Sequence, residues 1–504
     1  MTEDSNNERY KTRFMYGRTV IYSDVEEVTR ENVLDVLHKS MMIHDINSAD
    51  IDYLYKYYRG NQPIIYRQKK IRPEINNKLV LNHANEIVSF KTGYLCGEPI
   101  QYVNRSGDED VTDQINTLNE YMFAEDKAAK DEQIVEWANI CGTAYRMVLP
   151  DSDTNQEPDE APFELYTLDP RFAFVVYSVD IKNEPLMGVR YYDDSNYVRH
   201  YSVYTNKLVF NIVGEDIKEV QPNPLGAIPI FEYPANNSRI GSFEVVISLL
   251  DALNIVESNR LDNVEQIVQS FLKFINCDIA DEDIKKIGEL GAVKVKSTDG
   301  QNADVDTVST DLNQDQVETL KKDLYDTILV ICGMPNRNGG SSTSDTGAAV
   351  IMRDGWSDAE SRAKNHEHMF KLSEKPMLKL VLRICNTFVD KMSLKLSDIE
   401  LKFTRRNYEA IQSKSQVLIS MLQQDKIHPK LAFESSGLFI DPEAAYTLSA
   451  EYYEEQQKKL ESNAAQGGDT EDNSEKSPNA NGREAIQKRN DNSQKRVKGK
   501  GDAA

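Results

Sequence analysis

From Ser242 to Ile275 the chain holds neither Gly nor Pro, and apolar residues recur at Val246, Leu250, Leu253, Val264, Val268, Phe271 and Ile275. Steps of three and four predict a helix, whose stripe is interrupted by Glu257, Asn259 and Arg260. Some 35 residues at ~1.5 Å each make a rod of ~50 Å. Such a rod, with a broken stripe, is expected to pack against other rods rather than fold back on a small core. A second helix is predicted over Gln314–Cys332, with Val317, Leu320, Leu324, Ile328 and Ile331 on one face and Gly333 and Pro335 to stop it. Between them, Asp278–Thr310 reads as a compact tip: a short helix (Asp281–Leu290), a strand (Ala292–Lys296), a turn at Asp299-Gly300 and a strand over Asp304–Ser309. The plan is a helix out, a small α/β tip, and a helix back.

The pattern before this region is mixed. Helices are expected over Asn47–Tyr58, ended by Arg59-Gly60-Asn61, over Leu79–Gly93, and over Gln133–Ile140, stopped at Gly142. Alternating β-branched and aromatic runs then predict an antiparallel meander at Ala144–Leu149, Phe163–Thr167, Phe172–Tyr177, Met187–Tyr192, Tyr197–Tyr204 and Lys207–Phe210. Pro222, Pro224, Pro229 and Pro234 close it. Beyond Pro335, Gly339-Gly340-Ser341-Ser342-Thr343-Ser344 reads as a flexible loop of small residues. A long helix is expected over Ser357–Met392, kinked at Pro376, then a strand through Ile399, Leu401 and Phe403. Helices over Tyr408–Gln424 and Pro442–Leu460 follow, joined through Pro429 and Gly437. Residues 1 to about 27 and the stretch from Ser462 onward are polar and are expected to be disordered, the tail acidic first and basic at its end. The fold class is α+β, mostly helical.

Composition narrows the possible functions. The 504 residues suffice for several domains, and 39% apolar with 28% charged residues is compatible with buried cores. Net charge is −23, the opposite of what a protein gripping DNA along its whole surface needs. Five scattered cysteines without a C-x-x-C pair argue against a zinc site or a disulfide framework and fit a reducing cytoplasm. No signal peptide is read in the first residues, and the longest apolar-rich stretch, Met377–Met392, is broken by Lys379, Arg383 and Asp390.

Several runs, in order, carry a resemblance: YYRGNQPI (57–64), NNKLVLNHANEIVSFKTGYLCGEPI (76–100), ANICGTAYRMV (138–148), NPLGAIPIFEYPANNSRIGSFEVVISLLDALN (223–254), SDTGAAVIMRD (344–354) and FTRRN (403–407). Over roughly residues 45–460 the chain resembles portal proteins of tailed double-stranded DNA bacteriophages, in the branch typical of siphophages of Gram-positive bacteria. The resemblance implies a cyclic ring, usually a dodecamer, with wing, stem, clip and crown parts around a DNA channel. Mapped by order, 1–28 is an N-terminal arm, 29–238 wing, 239–268 and 311–335 stem helices, 269–310 clip, and 336–356 a tunnel loop. Residues 357–406 are then the kinked wing helix and strand, 407–462 a helical crown, and 463–504 the tail. Expected DNA-facing residues are Gly339, Gly340, Ser341, Ser342, Thr343, Ser344, Asp345 and Thr346. Expected stem-packing residues are Val246, Leu250, Leu253, Val317, Leu320, Leu324 and Ile328, and Lys294 and Lys296 are expected to serve clip docking. Implied partners are viral double-stranded DNA without sequence preference, the terminase large subunit, major capsid and scaffold proteins, and a head-completion adaptor. The implied location is the capsid portal vertex of the virion, after assembly in the host cytoplasm. DNA must slide, so acidity suits the channel: twelve copies would carry roughly −280, a field that repels phosphate.

Catalytic signatures are lacking. There is no G-x-x-x-x-G-K-[ST], and GELGAVKVKS (288–297) lacks the loop glycines, so energy for packaging would come from a partner. His366 and His368 point to different helix faces and read as surface histidines. Asp281-Glu282-Asp283 and Asp304-Val305-Asp306 read as solvated acidic turns. No cofactor, metal or enzymatic activity is expected. The alternatives are another virion ring or scaffold-associated structural protein, and a metal-dependent nuclease resting on those acidic clusters.

Overall fold

The computed structural model describes residues 17–105, 109–151, 160–268, 271–275, 277–278, 296–297, 304–308, 314–336, 355–388, 392–405, 408–424, 426–439 and 442–466. The chain divides into two compact units, 1–413 and 414–504. The first carries three cores, and helices predominate over strands, in keeping with a mostly helical α+β chain.

Helix α1 (Val33–Tyr58) is more than twice as long as the helix expected at 47–58. Its first half buries Val33, Val36, Leu37 and Met41 against a six-stranded sheet; its second half buries Ile51, Leu54 and Tyr57 in a different core. The sheet runs β1 (Ile21–Ser23), β5 (Ala173–Ser178), β6 (Pro185–Asp193), β7 (Arg199–Tyr204), β8 (Leu208–Val213), β9 (Asp216–Pro222). From β5 to β8 it is the antiparallel meander the alternation predicts, in register at Val189↔Val203 and Val203↔Phe210, and β9, not expected from the sequence, extends it. Strand β1 adds in parallel, Ile21 opposite Val176, so residues 17–28 are ordered where the polar composition predicts disorder. Strands β3 (Thr143–Pro150) and β4 (Phe163–Leu168), expected within one meander, instead form a separate sheet with β10 (Ile230–Pro234), which had no sequence expectation. Packing explains the split: Val148, Phe163 and Leu165 face helices, whereas Val176, Val189 and Phe210 face α1.

The helices on that second sheet are α3 (Glu109–Ala124), α4 (Lys127–Cys141) and α7 (Trp356–Phe388). Pro376 lies inside α7. Gly142 ends α4 at φ +84°, where an added Cβ would lie 2.0 Å from the Arg239 carbonyl oxygen. No side chain fits there, so Gly142 sets the turn from helix into β3. Strand β2 (Gln101–Asn104) pairs with β15 (Ile399–Lys402), the strand expected around Ile399 and Leu401.

The second unit begins inside helix α8 (Tyr408–Leu422) and adds α9 (Pro429–Ser436) and α10 (Pro442–Gln466). His428 caps α9 by accepting the Lys430 backbone N–H at 3.2 Å, and Phe433 stacks on Phe439 and meets the edge of Tyr446. Helix α9 was read only as a joining segment, because eight residues leave too short a pattern.

Candidate functional site

Helix α2 (His83–Cys96) leads into the region where the two rods were expected. The first, α5, spans Ile247–Val268, after a 3-10 turn over Glu244–Val246. Its 22 residues make ~33 Å, not the ~50 Å read from periodicity. Part of the difference is the 3-10 turn at its start, and the rest lies at its C-terminal end: Phe271–Ile275 is strand β11, paired antiparallel with β14 (Asp304–Val308) from Ile275↔Asp304 to Phe271↔Val308. A short apolar run fits either period, and no Gly or Pro marks the change. Farther out, β12 (Cys277–Asp278) pairs with β13 (Lys296–Ser297). The return helix α6 runs Gln314–Cys332 as expected, and Gly333 (φ +64°) ends it. A helix pair thus continues into an antiparallel ladder.

The two helices differ along their length. Val246, Leu250 and Leu253 are buried with Ile328 against Ile51, Leu54 and Tyr57 of α1 and Ile87 and Val88 of α2. Leu324 packs on the edge of this core. The upper rods therefore fold onto their own chain, which corrects the expectation that they could not. Farther along, Val264 and Leu320 are 43% and 49% exposed, and Val317 is half-buried. Two ion pairs clamp this lower half: Arg260–Glu318 at 2.7 Å and Lys321–Glu257 at 3.0 Å.

The interrupted apolar stripe has a local cause. Asn254, Ser258 and Asp262 recur every four residues, are buried, and receive the extended segment 67–81. The Leu81 N–H donates to Asn254, the Leu79 N–H to Ser258, and the Asn77 N–H to Asp262 at 2.7 Å. Lys69 and Arg67 reach Asp262 at 3.0 and 3.2 Å. A polar stripe satisfies the backbone donors of a segment with no ladder of its own. The i, i+4, i+8 spacing of these three was legible, but the break was placed at Glu257, Asn259 and Arg260 instead.

Tyr57 donates to Asp251 at 2.9 Å where α1 crosses α5. Burial pushes the Asp251 carboxyl up to about 6, with the Tyr57 hydroxyl opposing. The folded state thus binds this proton more tightly than the unfolded chain, so the contribution of Asp251 to stability rises as pH falls from about 6 toward 4 and is lowest above 6. Asp251→Asn is expected to stabilise the fold at pH 7.5 by about 1–2 kcal/mol and to have little effect at pH 4. Urea midpoints at the two pH values test this, and a loss at pH 7.5 would refute it.

Of the expected DNA-facing residues, Gly339–Thr346 all lie outside the described residues. So do Lys294, the tip helix 281–290, the turn at 299–300, and residues 1–16 and 467–504. Lys296 lies in β13, where only the backbone is described. Among the described residues no helix is long and apolar enough to cross a membrane.

His366, read as a surface histidine, is half-buried. It lines a cavity of about 780 Å³ between α2, α7, the end of α6 and the segment before α5. Burial and the neighbouring Lys91 charge push its pKa down to about 4. Lys91 and Arg362 line the same cavity, while His368 is exposed on its rim.

A family model described as "Phage portal protein, SPP1 Gp6-like" matches residues 37–467. No curated protein matches the chain. Among solved structures, a chain from "Neck of empty GTA particle computed with C6 symmetry" aligns at a TM-score of 0.41 and 13% identity, covering 70% of this chain and 90% of that one.

Proposed function

This chain belongs to the SPP1 Gp6-like family of phage portal proteins, and on that premise we propose how its parts divide the work of a portal. A portal protein forms the channel at the capsid vertex through which viral double-stranded DNA is packaged and later ejected, and it is a component of the virion. Proteins of this family are structural rather than enzymatic, and this chain is read the same way, with packaging energy supplied by the terminase motor.

The observation that carries the assignment of parts is the helix pair α5–α6 opening into an antiparallel ladder. Taken with the family, it supports residues 239–268 and 311–335 as stem, 269–310 as clip, 29–238 with 357–406 as wing, and 407–462 as crown. The clip, with Lys294 and Lys296, docks first the terminase and then the head-completion adaptor, and capsid and scaffold proteins surround the wing. Twelve copies close the ring.

Residues 336–356 join α6 to α7 and are proposed as the tunnel loop that meets DNA. Gly339 to Thr346 offer short hydroxyls and backbone groups, which hold a duplex in register without reading bases. Deleting Gly339–Ser344 is expected to leave ring mass unchanged by light scattering and to cut packaged DNA at least ~10-fold, since the phosphate-positioning groups are lost. Normal packaging by the shortened ring would refute this role, and failure to form rings would make the segment structural instead.

A further inference from the structure

The cavity that holds His366 has a charge character opposite to the rest of the chain. Lys91 enters from α2, and Arg362 and His366 enter from one face of α7, four residues apart. None of its described lining residues is Asp or Glu, although the chain carries 82 acidic residues against 59 basic ones. Asp358 pairs with Arg362 at 3.1 Å from outside the lining, and Arg362 also donates to the Ile331 carbonyl at 2.7 Å. Lys91 makes neither a hydrogen bond nor an ion pair with any described residue, yet it is half-buried. An ammonium withdrawn from water without a partner is costly, and a carboxylate brought to it removes that cost. The rest of the wall mixes apolar Phe90, Val245 and Met369 with the uncharged polar groups of Asn236, Asn237 and Asn365.

We propose that this cavity is a docking site for a neighbouring copy of this chain in the ring, which inserts an acidic side chain with an apolar flank against Lys91. The inference rests on the portal reading, because ring closure brings a second copy to each subunit through unlike surfaces. Charge chooses the occupant: a chain at −23, with 82 acidic residues against 59 basic ones, has carboxylates in excess to offer a cation-lined cavity. The cavity is also far larger than an inorganic anion requires, and its mixed apolar and polar wall suits a protein side chain.

The test uses rings assembled from a mixture of ¹⁴N- and ¹⁵N-labelled full-length chains, treated with a carbodiimide. This reagent joins an amine to a carboxylate in contact, forming an amide with loss of water. Mass spectrometry is expected to find Lys91 joined to an Asp or Glu of the other isotope. Lys91→Arg should assemble normally and lose the cross-link, while Lys91→Glu should lower ring yield at least ~10-fold with an unchanged urea midpoint, as like charges meet across the interface. Intact rings in which Lys91 stays unlinked, or links only within one chain, would overturn the inference and leave the portal reading standing. Protection of Lys91 only when DNA fills the ring would identify a phosphate backbone as occupant and overturn it equally. If the unsubstituted chain forms no ring under any assembly condition, the portal reading itself fails.

Discussion

Arg146→Met is expected to destabilise the α/β body by about 3–5 kcal/mol, the cost of breaking a buried ion pair from one side. Arg146 is fully buried on β3 and reaches Asp131 of α4 at 2.6 Å and Glu374 of α7 at 3.4 Å. Lys127 holds the same two carboxylates at 2.5 and 3.0 Å. Tyr102 and Tyr233 donate to Glu374 at 2.7 and 2.5 Å. Two cations and two anions balance, and four helices or strands besides α7 converge on Glu374, two residues before Pro376. Without Arg146, two buried carboxylates share one lysine. A fall in urea midpoint measures the loss, and a change under about 1 kcal/mol would show that water replaces the guanidinium.

The same cluster sets an acid limit. Burial alone would raise the Glu374 pKa, yet Lys127, Arg146 and the tyrosine hydroxyls hold it below the usual carboxylate value. A depressed folded pKa contributes stability above the unfolded value near 4.5, and that contribution is lost as pH falls through the folded value. In Arg146→Met the acid limb should therefore begin at higher pH. Adding Glu374→Gln should recover part of the loss, because one uncompensated charge is gone.

Val264→Asp with Leu320→Asp is expected to convert rings into single chains while leaving the chain's own stability within about 0.5 kcal/mol, as for other exposed positions. Both residues are exposed on the lower half of the helix pair, so each gains buried apolar area only from another subunit. Native mass spectrometry reads the result; rings of normal mass would show that this face is not a contact. Leu250→Asp makes the contrast. Leu250 lies in the core shared by α1, α2, α5 and α6, so its substitution should unfold the body rather than separate subunits.

This contrast marks where the sequence was legible. Helix α6 was read end to end because Gly333 and Pro335 punctuate it and its stripe is unbroken. Helix α1 was cut to half its length because its two halves bury different faces in different cores, so no single stripe runs through it. Strand β11 looked helical because five apolar-rich residues fit both periods. Lys127, Asp131, Arg146 and Glu374 were invisible as a group, since charges scattered over 250 residues read as surface until the fold brings them together. Lys91 and His366 were missed for the same reason: a cavity is made by elements far apart in the chain.

The parallel pairing of β1 with β5 has a consequence for how the protein is made. Ile21 waits for Val176, 155 residues downstream. At 5–20 residues per second the ribosome needs roughly 8–30 s to deliver the partner strand. Throughout that time the first strand of the chain has an unsatisfied edge, the kind that recruits other nascent chains. Its brevity, three residues, keeps it a poor template. Arg18, three residues upstream, must wait longer still for Glu244, which it meets at 2.6 Å. The segment from Arg18 to Ser23 thus finds its place only after both of its partners have been synthesised.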